Sequence, residues 1–344
     1  MHAAREEETL PEDAFVTVGI ESSCDETAVA VLRDEDHLLA NLVFSQAEIH
    51  APFGGVVPEV ASRDHLRKLP LLVVEALTCA RTPAERVNLV ACTYGPGLLG
   101  PLLVGLSYAK GFAAGLGVPL LGVNHLEGHL FAHRLSAPDA DPPFMGLLVS
   151  GGHTALVVVP EYGQYQLIGS TVDDAAGEAL DKVGKQLGIP YPAGAELERL
   201  SEGGDPSAIP FPRPMAGAPG FDFSFAGLKT AVMVYLRKHP HARREDVAAS
   251  FLASVVDVLA AKSIEATRRH RLGRLVVAGG VAACRKLRRR LREDAAGHGI
   301  DVHFPPQSLC TDNAAMIAAA GVYRHRVLGE THPLTLAPSP RLSL

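Results

Sequence analysis

The chain has no tryptophan, no C-x-x-C pair, and no G-x-x-x-x-G-K-[ST] phosphate signature. Its five cysteines, Cys24, Cys79, Cys92, Cys284 and Cys310, are odd in number and scattered over 344 residues. No disulfide or zinc framework has that spacing, and a reducing cytosol fits best. The opening segment MHAAREEETLPEDA is polar and acidic and lacks the apolar core of a signal peptide. A long uninterrupted hydrophobic run is missing too. The most apolar stretch, Pro101 to Val123, carries Lys110, Gly105, Gly111, Gly115, Gly117 and Pro119. A membrane span rarely bears that charge and those breaks, so it reads as a buried helix, a glycine turn and a buried strand. Net positive charge is absent as well. The formal charge of −6 does not favour nucleic acid as a partner of the whole surface.

What remains is a globular composition, 47% hydrophobic and 20% charged. The length exceeds one simple core and suits two α/β lobes. The 33 glycines suggest tight turns where backbone approaches a ligand. Basic residues are locally dense. Arg285, Lys286, Arg288, Arg289, Arg290 and Arg292 crowd one short helix, and further runs lie at Arg237–Arg244 and Arg268–Arg274. They read either as solvated helix faces or as a footprint for a phosphate backbone.

The order of elements repeats. VTVGI, AVAVL and HLLANLVF form three strands with polar turns. Arg63–Ala80 follows as a helix, with apolar spacing at Leu66, Leu69, Leu72, Val73 and Leu77. The strand Leu89–Thr93 then ends in Gly95-Pro96-Gly97, which opens a helix in a shape that can meet an anion. The stretch FMGLLVSGGHTALVVVPEYGQYQLIGS repeats the three strands, and the helix Ala176–Leu187, the strand-turn Arg274–Gly280 and the helix Ala282–Ala295 complete the plan. Two copies describe an α/β fold of duplicated ribonuclease H-like lobes, the type shared by actin, hexokinases and Hsp70 (ASKHA). The expected division is an N-terminal extension at 1–14, a lobe at 15–142 and a lobe at 143–344. The C-terminal helix is expected to pack back towards a cleft.

Several residues can carry chemistry. His125 and His129 in NHLEGH are four apart, which on a helix puts both imidazoles on one face roughly 6 Å apart. They are either two histidines sharing a face or two ligands of a metal. Glu127 lies two residues past His125, far around the helix, and is badly placed as the water-activating base of an H-E-x-x-H protease. Asp312, at the start of an apparent helix, is either a helix-capping carboxylate or a third ligand. A His, His, Asp set with open positions suits Fe(II), Zn or Mn. The turn ESSCDET gathers Glu21, Asp25 and Glu26, either as a polar turn or to position a metal, a water or an amine. Ser150-Gly151-Gly152, Gly279-Gly280 and Gly95-Pro96-Gly97 each follow an apolar strand, and together suggest a nucleotide cradle. In DDAAGEALDK, Asp174, Glu178 and Asp181 share one helical side by spacing. That acidic stripe is either solvated or suited to ribose hydroxyls.

Taken together, GIESSCDETAVAV, GGVVPEVASRDH, YGPGLLGPLLVG, NHLEGH, LLVSGGHTALV, DDAAGEALDKVGKQLG, FPRPM, FDFSFAGLKTA, VVAGGVAA and CTDNAAMIA resemble the TsaD family over about Thr17 to Gly321. Its members were once described as O-sialoglycoprotein endopeptidases (Gcp). The resemblance implies transfer of a threonylcarbamoyl group from threonylcarbamoyl-adenylate to the exocyclic amine of the adenosine adjacent to the anticodon, in tRNAs reading codons that start with A, with release of AMP. It implies one divalent metal, Fe(2+) first and Zn or Mn as alternatives, on His125, His129 and Asp312. It implies adenylate binding by Leu148, Val149, Ser150, Gly151, Gly152, Asp181, Gly194 and Cys284, and a part in activity for Asp25 and Glu26. A TsaB-like paralogue and a TsaE-like ATPase are the implied partners beside tRNA; a cytoplasmic location is expected, with no membrane. Cys284 stands where the family usually has asparagine, and Ala193 where glycine is common. A thiol offers only weak versions of an amide's donor and acceptor, which puts adenylate affinity in question.

Three rivals remain. A kinase or ATPase of the same fold would hold Mg²⁺ through phosphates and carboxylates, not imidazole. A metalloendopeptidase meets the wrong phase of Glu127. A non-catalytic paralogue would be expected to lose the two histidines, which this chain keeps.

Overall fold

The computed structural model describes residues 10–137 and 140–344. Positions 1–9 of the expected extension lie outside the described residues. Leu10 packs against the first core, and Arg86 donates to the Pro11 and Glu12 carbonyls at 2.6 and 3.0 Å, so the segment just before β1 is tied down.

The first sheet begins with β1 (Val16–Glu21), β2 (Glu26–Arg33) and β3 (His37–Ser45). β1 is buried along its whole length because it lies mid-sheet, antiparallel to β2 and parallel to β4 (Leu89–Gly95). A strand covered on both faces reads as a continuous apolar run. After the short α1 (Ala47–His50), α2 runs Pro58–Cys79. It starts at Pro58 and not Arg63, since proline is pre-set for the first helical position. Its buried stripe is Ala61, His65, Leu69, Val73 and Ala76; Leu66, read from spacing as part of that stripe, is 66% exposed. α3 (Leu99–Leu116) packs on β4 and α2, and Gly117 ends it in the left-handed region at φ 69°. Only one face of α3 is buried, where a fully buried helix was expected. β5 (Leu120–Asn124) leads directly into α4 (His125–Phe131), and the sheet order is β3-β2-β1-β4-β5.

The second sheet contains β6 (Phe144–Val149), β7 (Thr154–Glu161) and β8 (Gln164–Ser170). Helices α5 (Ala176–Gln186), α6 (Gly194–Ser201), α7 (Ala226–Lys238) and α8 (Arg244–Arg269) follow. Then come β9 (Arg274–Ala278), α9 (Arg285–Ala296), β10 (Asp301–His303) and α10 (Ala314–Arg326). Ala176, Ala179, Leu180 and Val183 bury one side of α5 at helical spacing. The order β10-β9-β6-β7-β8 is the first sheet's order with each strand replaced by its repeat. The helix expected at Ala282–Ala295 is a 3₁₀ turn at Gly280–Ala283 followed by α9.

α3 and α8 are long and apolar enough to cross a membrane by length and composition alone. α8 is the core helix beneath β6 and β9, with acidic residues in its first turn and Arg268 and Arg269 in its last, the charge order a helix dipole favours.

Internal contacts group Met1–Ser45, Pro58–Gly128 and Asn313–Ser343 as one unit, and Gln46–Val57, His129–Asp312 and Leu344 as the other. The repeat suggests one cut at 142; the contacts instead place α10 and the segment after it with the first sheet. α10 packs on β1, β2 and β4. It sits low because Gly19 has no side chain: a Cβ there would stand 2.3 Å from the Ala314 carbonyl and 2.9 Å from Ala318.

Candidate metal centre

Asn124 ends β5 and starts α4, its Oδ1 accepting the Leu126 N–H at 2.9 Å. The next residue, His125, and His129 one turn later are both buried. Gly128 between them lets α10 come close, since a Cβ there would lie 2.7 Å from Ile317 Cδ1. Asp312 immediately precedes α10. It does not cap that helix: Asn313 does, accepting the Met316 N–H at 3.0 Å. The Asp312 carboxylate meets His129 instead, Oδ1 to Nε2 at 3.2 Å. One donor atom from each of His125, His129 and Asp312 lies within 4.8 Å of the others.

Two imidazoles and a carboxylate that already converge can hold a divalent cation. The far side of His125 strengthens the fit, because its Nδ1 meets the buried Glu21 Oε2 at 2.9 Å, as the second nitrogen of a ligating histidine commonly does. Glu127 is committed elsewhere. It is buried and accepts from Arg324 Nη1 at 3.0 Å, which removes it as a hydrolytic base.

The acidic turn between β1 and β2 is packed, not solvated. Asp25 is buried, and Ser45 Oγ reaches Glu26 Oε1 at 3.5 Å. His65 of α2 braces this turn from below. Its Nε2 donates to the Cys24 carbonyl at 2.9 Å and its Nδ1 accepts from Thr27 Oγ1 at 2.7 Å. Burial lowers the His65 pKa, which keeps that neutral form.

The three glycine turns differ. Gly97 N–H donates to the Pro340 carbonyl at 3.2 Å and Leu98 N–H to the Ser23 carbonyl at 2.8 Å. The chain's own backbone thus takes the donors expected to meet an anion at the start of α3. Gly279 is packed too, since a Cβ there would meet the Val149 carbonyl at 2.5 Å, whereas Gly280 is half-buried with only Thr311 Cγ2 at 3.8 Å. The turn at Ser150–Gly152 is open. Gly151 and Gly152 are exposed, and among the described residues a Cβ on either would meet nothing within 4 Å. From behind, Gly177 N–H holds the Ser150 carbonyl at 3.1 Å.

Leu148 and Val149 are buried at the end of β6, leading into that turn. Asp181 of α5 accepts the Ala193 N–H at 2.8 Å, just before Gly194 opens α6. The Ala193 methyl fills the space that Gly184 leaves, since a Cβ there would be 2.2 Å away. Cys284 caps the start of α9 by position only, and its Sγ faces Glu198 Oε1 of α6 at 3.3 Å. The same oxygen accepts the Lys286 N–H at 3.0 Å, so Glu198 supplies a cap bond that the thiol does not. Burial, with Glu198 adding, pushes the Cys284 thiol up to about 12.

The expected acidic stripe is not one. Asp174 lies before α5, where it accepts from Lys182 at 2.8 Å and Lys229 at 2.7 Å. Burial alone would raise its pKa, but the two lysines outweigh that and hold it below the usual range. Glu178 pairs with Lys182 as well, so the stripe is neutralised internally.

Comparison with known proteins decides the family. The model of TsaD, tRNA N6-adenosine threonylcarbamoyltransferase, matches residues 37–319. The chain belongs to the TsaD family. It is 50% identical over 327 residues to the tRNA N6-adenosine threonylcarbamoyltransferase of Thermotoga neapolitana, covering 95% of this chain and 99% of that protein. With the same-named protein of Geobacter sp. (strain M21) it is 51% identical over 312 residues, covering 90% and 91%. More distant solved structures share the fold. The ROK hexokinase of Thermus thermophilus is 16% identical at a TM-score of 0.52, over 92% of this chain and 99% of that one. HypF is 14% identical at 0.61, over 93% of this chain and 47% of that one. The ASKHA architecture read from the repeat is therefore observed.

In this TsaD-family chain the basic helix α9 is largely tied up internally. Arg285 pairs with Glu202, Arg290 with Asp257 and Asp294, and Arg288 donates to the Ala282 and Pro305 carbonyls. Arg243 and Arg269 of the other two runs are also ion-paired. These pairs favour the plainer reading of those runs. Sequence reasoning missed His65 and Glu198. His65 was visible as a histidine on the apolar stripe of a helix. Glu198 had no local signal, because its partners are more than eighty residues away in the chain.

Proposed function

We propose that this chain transfers threonylcarbamoyl from threonylcarbamoyl-adenylate to the exocyclic amine of the tRNA adenosine adjacent to the anticodon, and that His125, His129 and Asp312 hold one divalent metal for it. The observation that carries the reading is the convergence of those three side chains within 4.8 Å in a chain of this family. Fe(II) is the metal of choice, because a two-histidine, one-carboxylate face with open positions is its common setting. When bound there, such a cation supplies Lewis acidity towards the donor's carbonyl oxygen.

The rest falls to the chain. The open turn receives the adenylate through the Gly151 and Gly152 N–H groups, with Leu148 and Val149 as its base; the Ser150 N–H donates to the His153 carbonyl at 2.8 Å and closes the hairpin. Asp181, Gly194 and Cys284 contact the nucleoside. The amine nitrogen attacks the carbonyl carbon, the carbon–oxygen bond to the phosphate breaks, and its electron pair leaves on AMP. Asp25, held in its turn beside Glu26, accepts the proton that the amine loses. The donor is an activated mixed anhydride, so orientation and charge stabilisation suffice for a large rate gain.

A protein partner of TsaB type fits the exposed Leu71, Val74, Leu99 and Leu103 on α2 and α3, since apolar side chains gathered on packed helices suit a helix–helix contact. A TsaE-like ATPase and a cytoplasmic location complete the reading. The test supplies threonylcarbamoyl-adenylate and unmodified tRNA, with and without partner proteins, and measures modified adenosine. No product in any combination removes the proposal. Asp25→Asn is expected to lower transfer at saturating donor; an unchanged rate removes Asp25 as the base.

A further inference from the structure

Glu21 ends β1 and is 0% exposed. Its Oε1 accepts the Ser23 N–H at 2.5 Å, and its Oε2 accepts the Thr93 hydroxyl at 2.6 Å. The same Oε2 faces His125 Nδ1 at 2.9 Å. A buried carboxylate is costly unless hydrogen bonds satisfy it, and here three donors from three elements do so. Ser23 in the β1–β2 turn and Thr93 on β4 set the plane of the group without help from His125.

A carboxylate only accepts, so the imidazole nitrogen facing it carries the proton. In a neutral ring that leaves the lone pair on the other nitrogen, Nε2. Ser23 Oγ lies 3.3 Å from the same Nδ1. A hydroxyl can donate or accept and does not select a tautomer, whereas Glu21 does.

We propose that Glu21 is a positioning residue that holds His125 in its Nδ1–H form and so presents the Nε2 lone pair to the centre shared with His129 and Asp312. The inference rests on the metal reading of those three residues. It assigns a role to a carboxylate that is not itself one of the three converging donors.

Glu21→Gln is the deciding variant because the Ser23 N–H orients the new amide. Its oxygen must replace Oε1, which leaves the NH₂ facing Thr93 and His125. That NH₂ donates to Nδ1, moves the ring proton to Nε2 and blocks the ligand nitrogen. Zinc ion titrated into metal-stripped protein against a competing chelator is expected to bind Glu21→Gln about 10–100-fold more weakly than wild type. Thr93→Val keeps the carboxylate on His125 and is expected to bind nearly as wild type does. Nitrogen NMR of the metal-free, histidine-labelled protein, assigned with His125→Ala, is expected to show protonated Nδ1 in wild type and protonated Nε2 in Glu21→Gln. Equal zinc affinity for wild type and Glu21→Gln, or the same His125 tautomer in both, overturns the proposal. Wild type that binds no zinc removes the metal reading, while the NMR pair still decides the role of Glu21. If Glu21→Gln does not fold, wild-type His125 protonated at Nε2 overturns the proposal, and protonation at Nδ1 with near-normal zinc binding by Thr93→Val supports it.

Discussion

Two hairpin turns occupy equivalent places in the two sheets and are furnished in opposite ways. The β1–β2 turn is full: Glu21, Ser22, Ser23 and Asp25 are all buried, and backbone from the start of α3 bonds to Ser23. The β6–β7 turn is bare, with exposed Gly151 and Gly152 and space where side chains would stand. Duplication supplied the same frame twice. One copy fills its turn with buried, hydrogen-bonded side chains, and the other leaves its two glycines exposed.

The largest effect expected comes from dismantling the charged side. His125→Ala with His129→Ala should leave the purified protein without stoichiometric metal by elemental analysis, and lower transfer on the order of a hundredfold or more. Full metal content in that double variant would break the comparison at its root. Next is a matched glycine pair. A Cβ at Gly97 would stand 2.7 Å from Ser23 Cβ and from the Ser23 carbonyl oxygen, so Gly97→Ala should cost about 1–3 kcal/mol in urea unfolding. Gly151→Ala should unfold within about 0.5 kcal/mol of wild type yet bind adenylate several-fold more weakly by calorimetry. Equal behaviour of the two variants would mean that the turns do not differ in use.

A smaller effect concerns pH. The His65 pKa is lowered in the folded protein, so between that value and the ordinary 6.5 the unfolded chain binds more protons. Stability is therefore full above about pH 6.5 and falls as pH drops through the folded value. His65→Gln keeps a donor for the Cys24 carbonyl and should flatten the unfolding free energy between about pH 7 and 5; an unchanged slope would show that burial of this ring is not what the acid limb reports. The smallest effect belongs to Cys284→Asn. An amide there can cap α9, but Glu198 already accepts the Lys286 N–H, so the gain in stability should stay below about 1 kcal/mol. Adenylate should bind more tightly; unaltered binding would exclude position 284 from the nucleoside contact.

Most of the frame was legible from sequence because it is local. Apolar runs bounded by polar turns gave β1, β2, β3, β4, β6, β7 and β8, and glycine marked the end of α3. β10 went unread because it is only three residues long and not buried. The histidine pair was legible by its spacing on one helix. Asp312 was named as a third ligand by residue type and by resemblance; that it reaches the pair depends on the close approach of α4 and α10 at Gly128, which no local pattern encodes. Asp174 shows the opposite failure. Spacing placed it on a helical stripe with Glu178 and Asp181, but α5 starts after it, and Lys229 from α7 claims its carboxylate.

The seat of α10 has a consequence for how this chain can drift in evolution. Gly19 touches the Ala314 backbone, Gly321 faces Ala91, and a run of alanines fills the remainder of the contact. At Gly19 the neighbours are the Ala314 carbonyl and Ala318, which have no side-chain torsion to rotate away from an added methyl group. A substitution at residue 19 would lift the helix as a rigid rod and carry Asp312, attached one residue ahead of it, away from its histidine. Selection on the Asp312 carboxylate near the end of the chain thereby falls on a hydrogen atom near its beginning.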